Sequence, residues 1–366
     1  MRSAPPDLVV SVNRTTSLYL DLLRLLAAVG VFLGHANFSW FSVGLNVFPD
    51  LGHELVVLFF FLSGYVVADA TLGKNRGPRD YAAARLSRLY SVVLPALVLT
   101  AAARWAGSAL RPEVYAGFER GHEGVRWALS AVFCQEVWFL SSSPPTNAPL
   151  WSLGYEFWFY ALFGCWVFVR RTAARVACVA VVVLLAGPKL MLLLPVWLMG
   201  VAAWRAREAF APTRGIARVG FVAASVATCS LAASSWTWPG GAAAVAPWFY
   251  SGRWLSDWAL GAAIALQVLC LAPAWPELAV PGWIERPVRW GAALTFSLYA
   301  FHYPLLVFAG AVLPYDKGNA LHVAAVLALV LLAIGALWFV TERQRGWWRA
   351  RFAALIARVA PEGART

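Results

Sequence analysis

Ten apolar stretches, each long enough to cross a lipid bilayer or nearly so, set the first constraint on this chain. They fall near 17–36, 53–72, 89–109, 149–169, 174–188, 189–206, 216–235, 257–275, 291–313 and 320–341. About 20 apolar residues in an α-helix match the ~30 Å hydrocarbon core of a bilayer. The fifth and sixth stretches are short and are divided only by Gly187-Pro188. Residues 124–140 form a further apolar run suited to a re-entrant or interfacial helix.

Composition agrees. The 366 residues are 61% hydrophobic and 13% charged, whereas a soluble domain lies nearer half apolar and a quarter charged. Twenty Trp and 22 Phe suit aromatic belts at the two membrane interfaces. The expected fold class is therefore an all-α polytopic membrane protein of about ten transmembrane helices.

The net charge of +12 does not point to nucleic acid, because the basic residues are spread between apolar segments rather than gathered in one basic domain. Loop 73–88 carries Lys74, Arg76, Arg79, Arg85 and Arg88, while loop 37–52 carries no Lys or Arg. That alternation fits the positive-inside rule. An even number of helices also puts the basic tail with Arg343, Arg345, Arg349, Arg351, Arg358 and Arg365 on the inside. The expected organisation is a cytoplasmic N-terminal tail (1–16), one transmembrane domain (17–345) and a basic cytoplasmic tail (346–366). The polar, Pro-containing start is not expected to be a cleaved leader. Cys134, Cys165, Cys178, Cys229 and Cys270 lack metal-type spacing and read as apolar filler, with no metal site expected.

Three ionisable residues interrupt the first stretch: Asp21, Arg24 and His35. Such residues at bilayer depth cost several kcal/mol and usually face a protein interior or a water-filled cavity. Arg24 and His35 are 11 residues apart, about 1100° of helix rotation and so roughly 20° from three whole turns. They share a face, separated by a rise of about 16 Å. Asp21 lies three residues before Arg24 and can pair with it. The competing reading is a structural ion pair plus a histidine bonded to a neighbouring helix.

Four other segments hold candidates. Ser63 and Gly64 lie mid-helix, where small residues let a ligand or another backbone approach. Arg85 and Arg88, three apart, can clamp phosphates or simply anchor the helix at lipid headgroups. Glu156, flanked by Tyr155, could act on an acceptor hydroxyl or pair with an imidazole; equally, it could bond a nearby Trp or Tyr. His302 precedes Pro304 by two residues, and the expectation is a structural histidine capping the carbonyl that the proline frees. His53, His122 and His322 receive no role.

Taken in order, these segments resemble the acyltransferase-3 family of membrane O-acyltransferases. Arg24 and His35 match its Arg–His motif in the first helix. Phe60-Phe61-Leu62-Ser63-Gly64, or the register one residue earlier, matches its "FFxLSG" stretch, and Arg85 with Arg88 its Arg-x-x-Arg pair. Trp151-Ser152-Leu153-Gly154-Tyr155-Glu156 matches "WSLxxE". Ser297-Leu298-Tyr299-Ala300-Phe301-His302-Tyr303-Pro304 matches "SLYxxHxP". The chain departs from the family at Val57, where many members are acidic, and at Glu342-Arg343-Gln344, where many read Glu-Arg-Pro.

The resemblance implies transfer of an acyl group, usually acetyl, from cytoplasmic acyl-CoA to a hydroxyl of a glycan or glycosylated metabolite, in a bacterial inner membrane. Acyl-CoA is then a co-substrate, with no permanently bound cofactor. His35 and Glu156 are the expected catalytic residues; Arg24, Arg85, Arg88, Ser63 and Gly64 are expected to hold acyl-CoA; Asp21, Tyr155, Tyr299 and His302 support them. His35 could serve as a general base or carry the acyl group itself. The alternative function is a transporter or flippase of a lipid-linked sugar or small anion.

Overall fold

The computed structural model describes residues 12–44, 50–74, 77–234, 237–239 and 246–359. Among these the chain forms helices and no strands. In order they are α1 (Arg14–Ala36), α2 (Gly52–Ala68), α3 (Pro78–Leu110), the short α4 (Pro112–Ala116) and α5 (Glu123–Ala131), and α6 (Trp151–Phe168). Then follow α7 (Thr172–Ala186), α8 (Pro188–Met191), α9 (Leu194–Ala206), α10 (Arg214–Ala233), α11 (Trp254–Ala274), α12 (Gly282–Val312), α13 (Ala320–Val340) and α14 (Arg345–Val359).

Each of the ten apolar stretches is helical, and eight candidate membrane-crossing segments emerge: α1, α2 with the π-turn Asp69–Gly73, α3, α8 with α9, α10, α11, α12, and α13 running on into α14. The other two stretches are α6 and α7. α7 has only 15 residues, and α6 is diluted by Glu156, Tyr155, Tyr160 and several Trp. The protein is thus an all-helical membrane protein.

Several helices outrun their apolar stretches. α3 begins at Pro78 and α12 at Gly282, each about ten residues ahead of the apolar run. Apolarity marks what lipid or core covers, whereas a helix continues through charged residues whose propensity is just as good. Local signals set several ends. Asn13 caps α1 by accepting from the Thr16 amide at 2.8 Å, and Asn319 caps α13 through the Leu321 amide at 2.9 Å. Gly187, at φ +84°, breaks α7 from α8, and any Cβ there would lie 2.5 Å from the Trp138 backbone.

α2 and α12 form the centre of the bundle and α10 its edge: 72% of the apolar part of α12 is buried but only 11% of that of α10. α2 crosses α9 at close range. A Cβ on Gly64 would sit 1.9 Å from the Trp197 carbonyl oxygen, and one on Gly200 2.1 Å from that of Phe61, so these glycines set the interaxial distance.

Residues 124–140 are not one spanning or re-entrant helix. α5 covers nine residues, about 13 Å, and the chain then turns inward through 132–150. Glu136 pairs there with Lys189 at 2.6 Å, both side chains fully buried, and the Trp138 amide donates to Ala186 at 2.8 Å. Within the expected C-terminal tail, α14 lies along α3 with Phe352 against Tyr90, ring centroids 5.4 Å apart. Residues 1–11 and 360–366, parts of the two expected tails, lie outside the described residues.

Candidate active site

Two chemically distinct regions occupy the bundle interior. The first is a cavity of about 260 Å³ lined by α1, α2, α3, α6, α12 and α14. It gathers Arg24, Ser63, Arg85, Arg88, Glu156 and Tyr299 from the sequence candidates, and adds Arg345 and Arg349 from α14. Among the described lining residues, those guanidinium groups face a single carboxylate, that of Glu156.

Neighbours fix each side chain. Arg24 donates to Asp21 at 3.3 Å, and the other Asp21 oxygen accepts from Arg289 on α12 at 2.8 Å. Arg289 in turn bonds Glu285 at 3.0 Å, which also pairs with Arg14. This chain of alternating charges ties α1 to α12 and holds Arg24 from behind. Arg88 lies over the Phe296 ring at 4.9 Å, and Arg85 over the Tyr160 ring at 5.5 Å, arrangements that fix a guanidinium plane. Glu156 accepts from Ser63 Oγ at 2.7 Å and from the Tyr160 hydroxyl. Ser63 Oγ also accepts from Trp197 Nε1 at 3.2 Å. Glu156 is thus preset by two hydroxyl donors, the structural bonding that the sequence left open.

The cavity is electrostatically incomplete. Among the described residues Arg85, Arg88 and Arg345 make no ion pair, and Arg85 Nε is buried without a hydrogen-bond partner. Such unpaired buried donors are uncommon in native proteins and point to a group that completes them. Clustered positive charge in a low-dielectric cleft concentrates anions.

The second region lies at the opposite end of α1. His35 Nδ1 is 2.9 Å from His302 Nε2. His302 Nδ1 is 2.7 Å from the Tyr299 carbonyl oxygen and 3.0 Å from that of Leu298. Carbonyl oxygens only accept, so His302 Nδ1 carries the proton and its Nε2 is an acceptor. His35 Nδ1 must then be the donor. The lone pair of a neutral His35 therefore sits on Nε2, away from His302. Around it stand Phe38 at 5.7 Å and Tyr303 at 5.0 Å between ring centroids. Trp40 packs on both rings, and Tyr315 and Lys317 anchor this turn by donating to the Phe41 and Trp40 carbonyls at 2.6 and 2.7 Å.

His302 does not cap the break at Pro304, contrary to expectation. The freed Ala300 carbonyl instead accepts from Asn147 Nδ2 at 3.1 Å, in the inward-turning segment 132–150. This leaves both nitrogens of His302 for the Tyr299 carbonyl and His35. A proline four residues after a carbonyl and a buried Asn elsewhere were the available signals; their pairing across 153 residues was not legible.

His35 is not part of the cavity lining. Tyr299 stands between the two regions. Its hydroxyl donates to the Pro149 carbonyl at 2.8 Å and accepts from Ser152 at 2.7 Å, while its ring lies 6.0 Å from His302 and 5.8 Å from Phe59. Two candidates lie elsewhere. Tyr155 turns away from the cavity to donate to Ser251 Oγ at 2.9 Å, and Gly64 faces the α9 backbone; both serve packing. Glu342, at the family departure, binds the Ser297 amide and hydroxyl at 3.1 and 2.7 Å, which joins the end of α13 to the middle of α12. Among the described residues no group of three or more His, Cys, Asp or Glu could hold a metal ion.

A family model described as an acyltransferase domain matches residues 17–341. No curated protein and no solved structure matches the chain.

Proposed function

The chain belongs to the acyltransferase-3 family and is a membrane acyltransferase, and from that premise we propose that it moves an acyl group, acetyl in the first instance, from acyl-CoA to a hydroxyl of a glycan or glycosylated metabolite. The observation that carries this reading is the cavity: guanidiniums around one carboxylate, ending at Tyr299 beside the imidazole pair. Arg24, Arg85 and Arg88 hold the donor phosphates by charge-assisted hydrogen bonds. The pantetheine arm then covers the rise of about 16 Å from Arg24 to His35 and runs along Phe59 and Tyr299 of the cavity wall. By the positive-inside rule the arginine end is cytoplasmic, as are both termini, in a bacterial inner membrane. The acceptor sugar lies on the aromatic side chains around His35.

The chemistry follows from the tautomer. His35 Nε2 takes the proton of the acceptor hydroxyl as its oxygen attacks the thioester carbon. The tetrahedral intermediate collapses with cleavage of the C–S bond, and the departing CoA thiolate takes the proton back from His35. While His35 is protonated, His302 Nε2 accepts from its Nδ1–H and supports the positive charge. Ser63 and Tyr160 hold Glu156 beside the donor path, where it orients Arg88 and the arm rather than the imidazole.

Purified protein in lipid nanodiscs with labelled acetyl-CoA and a glycan acceptor tests the proposal. Wild type transfers label, and His35→Ala loses transfer by about 10²–10⁴-fold, the usual range for a general base. Undiminished transfer by His35→Ala contradicts the assignment. Flux of a lipid-linked sugar without any need for acyl-CoA returns the chain to the transport reading.

A further inference from the structure

The family match stops at residue 341, yet α14, beyond that limit, supplies Arg345 and Arg349 to the cavity wall. Arg345 lines the cavity together with Arg24, Arg85 and Arg88, and Glu342, bonded to Ser297, is the carboxylate beside Arg24, Arg88 and Arg345 in the adjoining cleft. These guanidiniums outnumber the carboxylates Glu156 and Glu342, and such an excess of positive charge in a cleft attracts an anion. Arg345 has no ion pair among the described residues. Arg349 pairs with Asp80 at the start of α3, and Trp348 and Phe352 stack beside Tyr90, so α14 is docked over the cavity by two different kinds of contact.

We propose that α14 is a second phosphate-binding wall, in which Arg345 and Arg349 take the outer phosphate of the donor nucleotide while Arg24, Arg85 and Arg88 take the inner ones. This rests on acyl-CoA being the donor. The chemical basis is charge and depth. CoA carries a pyrophosphate and a separate ribose phosphate, and each calls for its own guanidiniums. The Arg349 side chain is 45% exposed and that of Arg24 19%, so α14 lines the outer part of the cavity, where the bulkier nucleotide end of an inserted donor remains. The outward residues of α14, Trp347 with Arg351 over its ring at 5.1 Å, form a different face that suits the membrane interface.

The same phosphate chemistry could come from a lipid headgroup, so the test separates the sources. Steady-state transfer is measured for wild type and Arg345→Ala with acetyl-CoA, 3′-dephospho-acetyl-CoA and S-acetyl-pantetheine, in nanodiscs of phosphatidylcholine alone and with added phosphatidylglycerol. Arg345→Ala is the cleaner variant, since it breaks no ion pair; Arg349→Ala is run beside it. The expected result is a KM for acetyl-CoA raised about tenfold in both lipids, with kcat nearly constant. The ratio of variant to wild-type KM should fall toward one as the donor loses its phosphates. An equal defect with all three donors means that α14 is only structural, and overturns the proposal. So does an unchanged KM, or a defect seen only with phosphatidylglycerol, which would make these residues a headgroup site. If wild type uses none of the three donors, the acyl-CoA reading itself fails.

Discussion

The two ends of the site are built on opposite principles. At the imidazole end each proton has a place: the Tyr299 carbonyl fixes His302, His302 fixes His35, and one lone pair is left over. At the arginine end several guanidiniums crowd one carboxylate, and Arg85 Nε is buried with no partner. In the proposed mechanism the first is a preorganised catalytic group, which costs nothing to arrange at the moment of reaction, and the second is a binding site that its anion completes. The contrast separates chemistry from recognition, and it predicts which kinetic constant each residue moves.

The sharpest break with the recognition half is Arg85→Ala with Arg88→Ala. KM for acetyl-CoA should rise by about 10²-fold or more, at one charge-assisted contact per guanidinium, with a far smaller change in kcat. A fall in kcat alone would erase the division. The imidazole half is tested by His302→Gln, expected to lower kcat about 10–100-fold at constant donor KM, the range seen when a partner that orients an imidazole is lost. Unchanged kcat would show that His35 needs no help in holding its tautomer.

Gly64→Ala probes the frame that both ends share. Its Cβ meets the Trp197 carbonyl, so a thermal-unfolding or detergent-stability assay should show a loss of about 1–3 kcal/mol, with both kinetic constants affected only through the amount of folded protein. Tyr155→Phe, the smallest effect, removes one hydrogen bond to Ser251 and should cost about 1 kcal/mol of stability, leaving kcat and KM near wild type. A selective loss of kcat in Tyr155→Phe would return that residue to the site.

These last two residues show where sequence reading stops. Neighbours on a helix point about 100° apart, so helix rotation can bring one residue into the cavity and leave the next outside it, as it does for Glu156 and Tyr155 and for Ser63 and Gly64. The motif stretches contain all four residues, and only the rotation of α6 and α2 within the bundle separates them. The helical stretches were legible because apolar length is a local property, and so was the Arg24–His35 face, because helix geometry is local too. The His35–His302 bond joins residues 267 apart and depends on how α1 packs on α12. Likewise, the packing of Trp348 and Phe352 of α14 beside Tyr90 of α3 depends on a contact between distant segments and does not show in the basic composition of 346–366.

In the proposed mechanism His35 performs transfer without holding the donor. Equilibrium binding of labelled acetyl-CoA to purified His35→Ala in nanodiscs tests it most directly. The expected result is a Kd within about twofold of wild type in a protein that no longer transfers the acyl group. A Kd weakened to the degree seen in Arg85→Ala with Arg88→Ala would contradict it, because the two ends would then be one binding site.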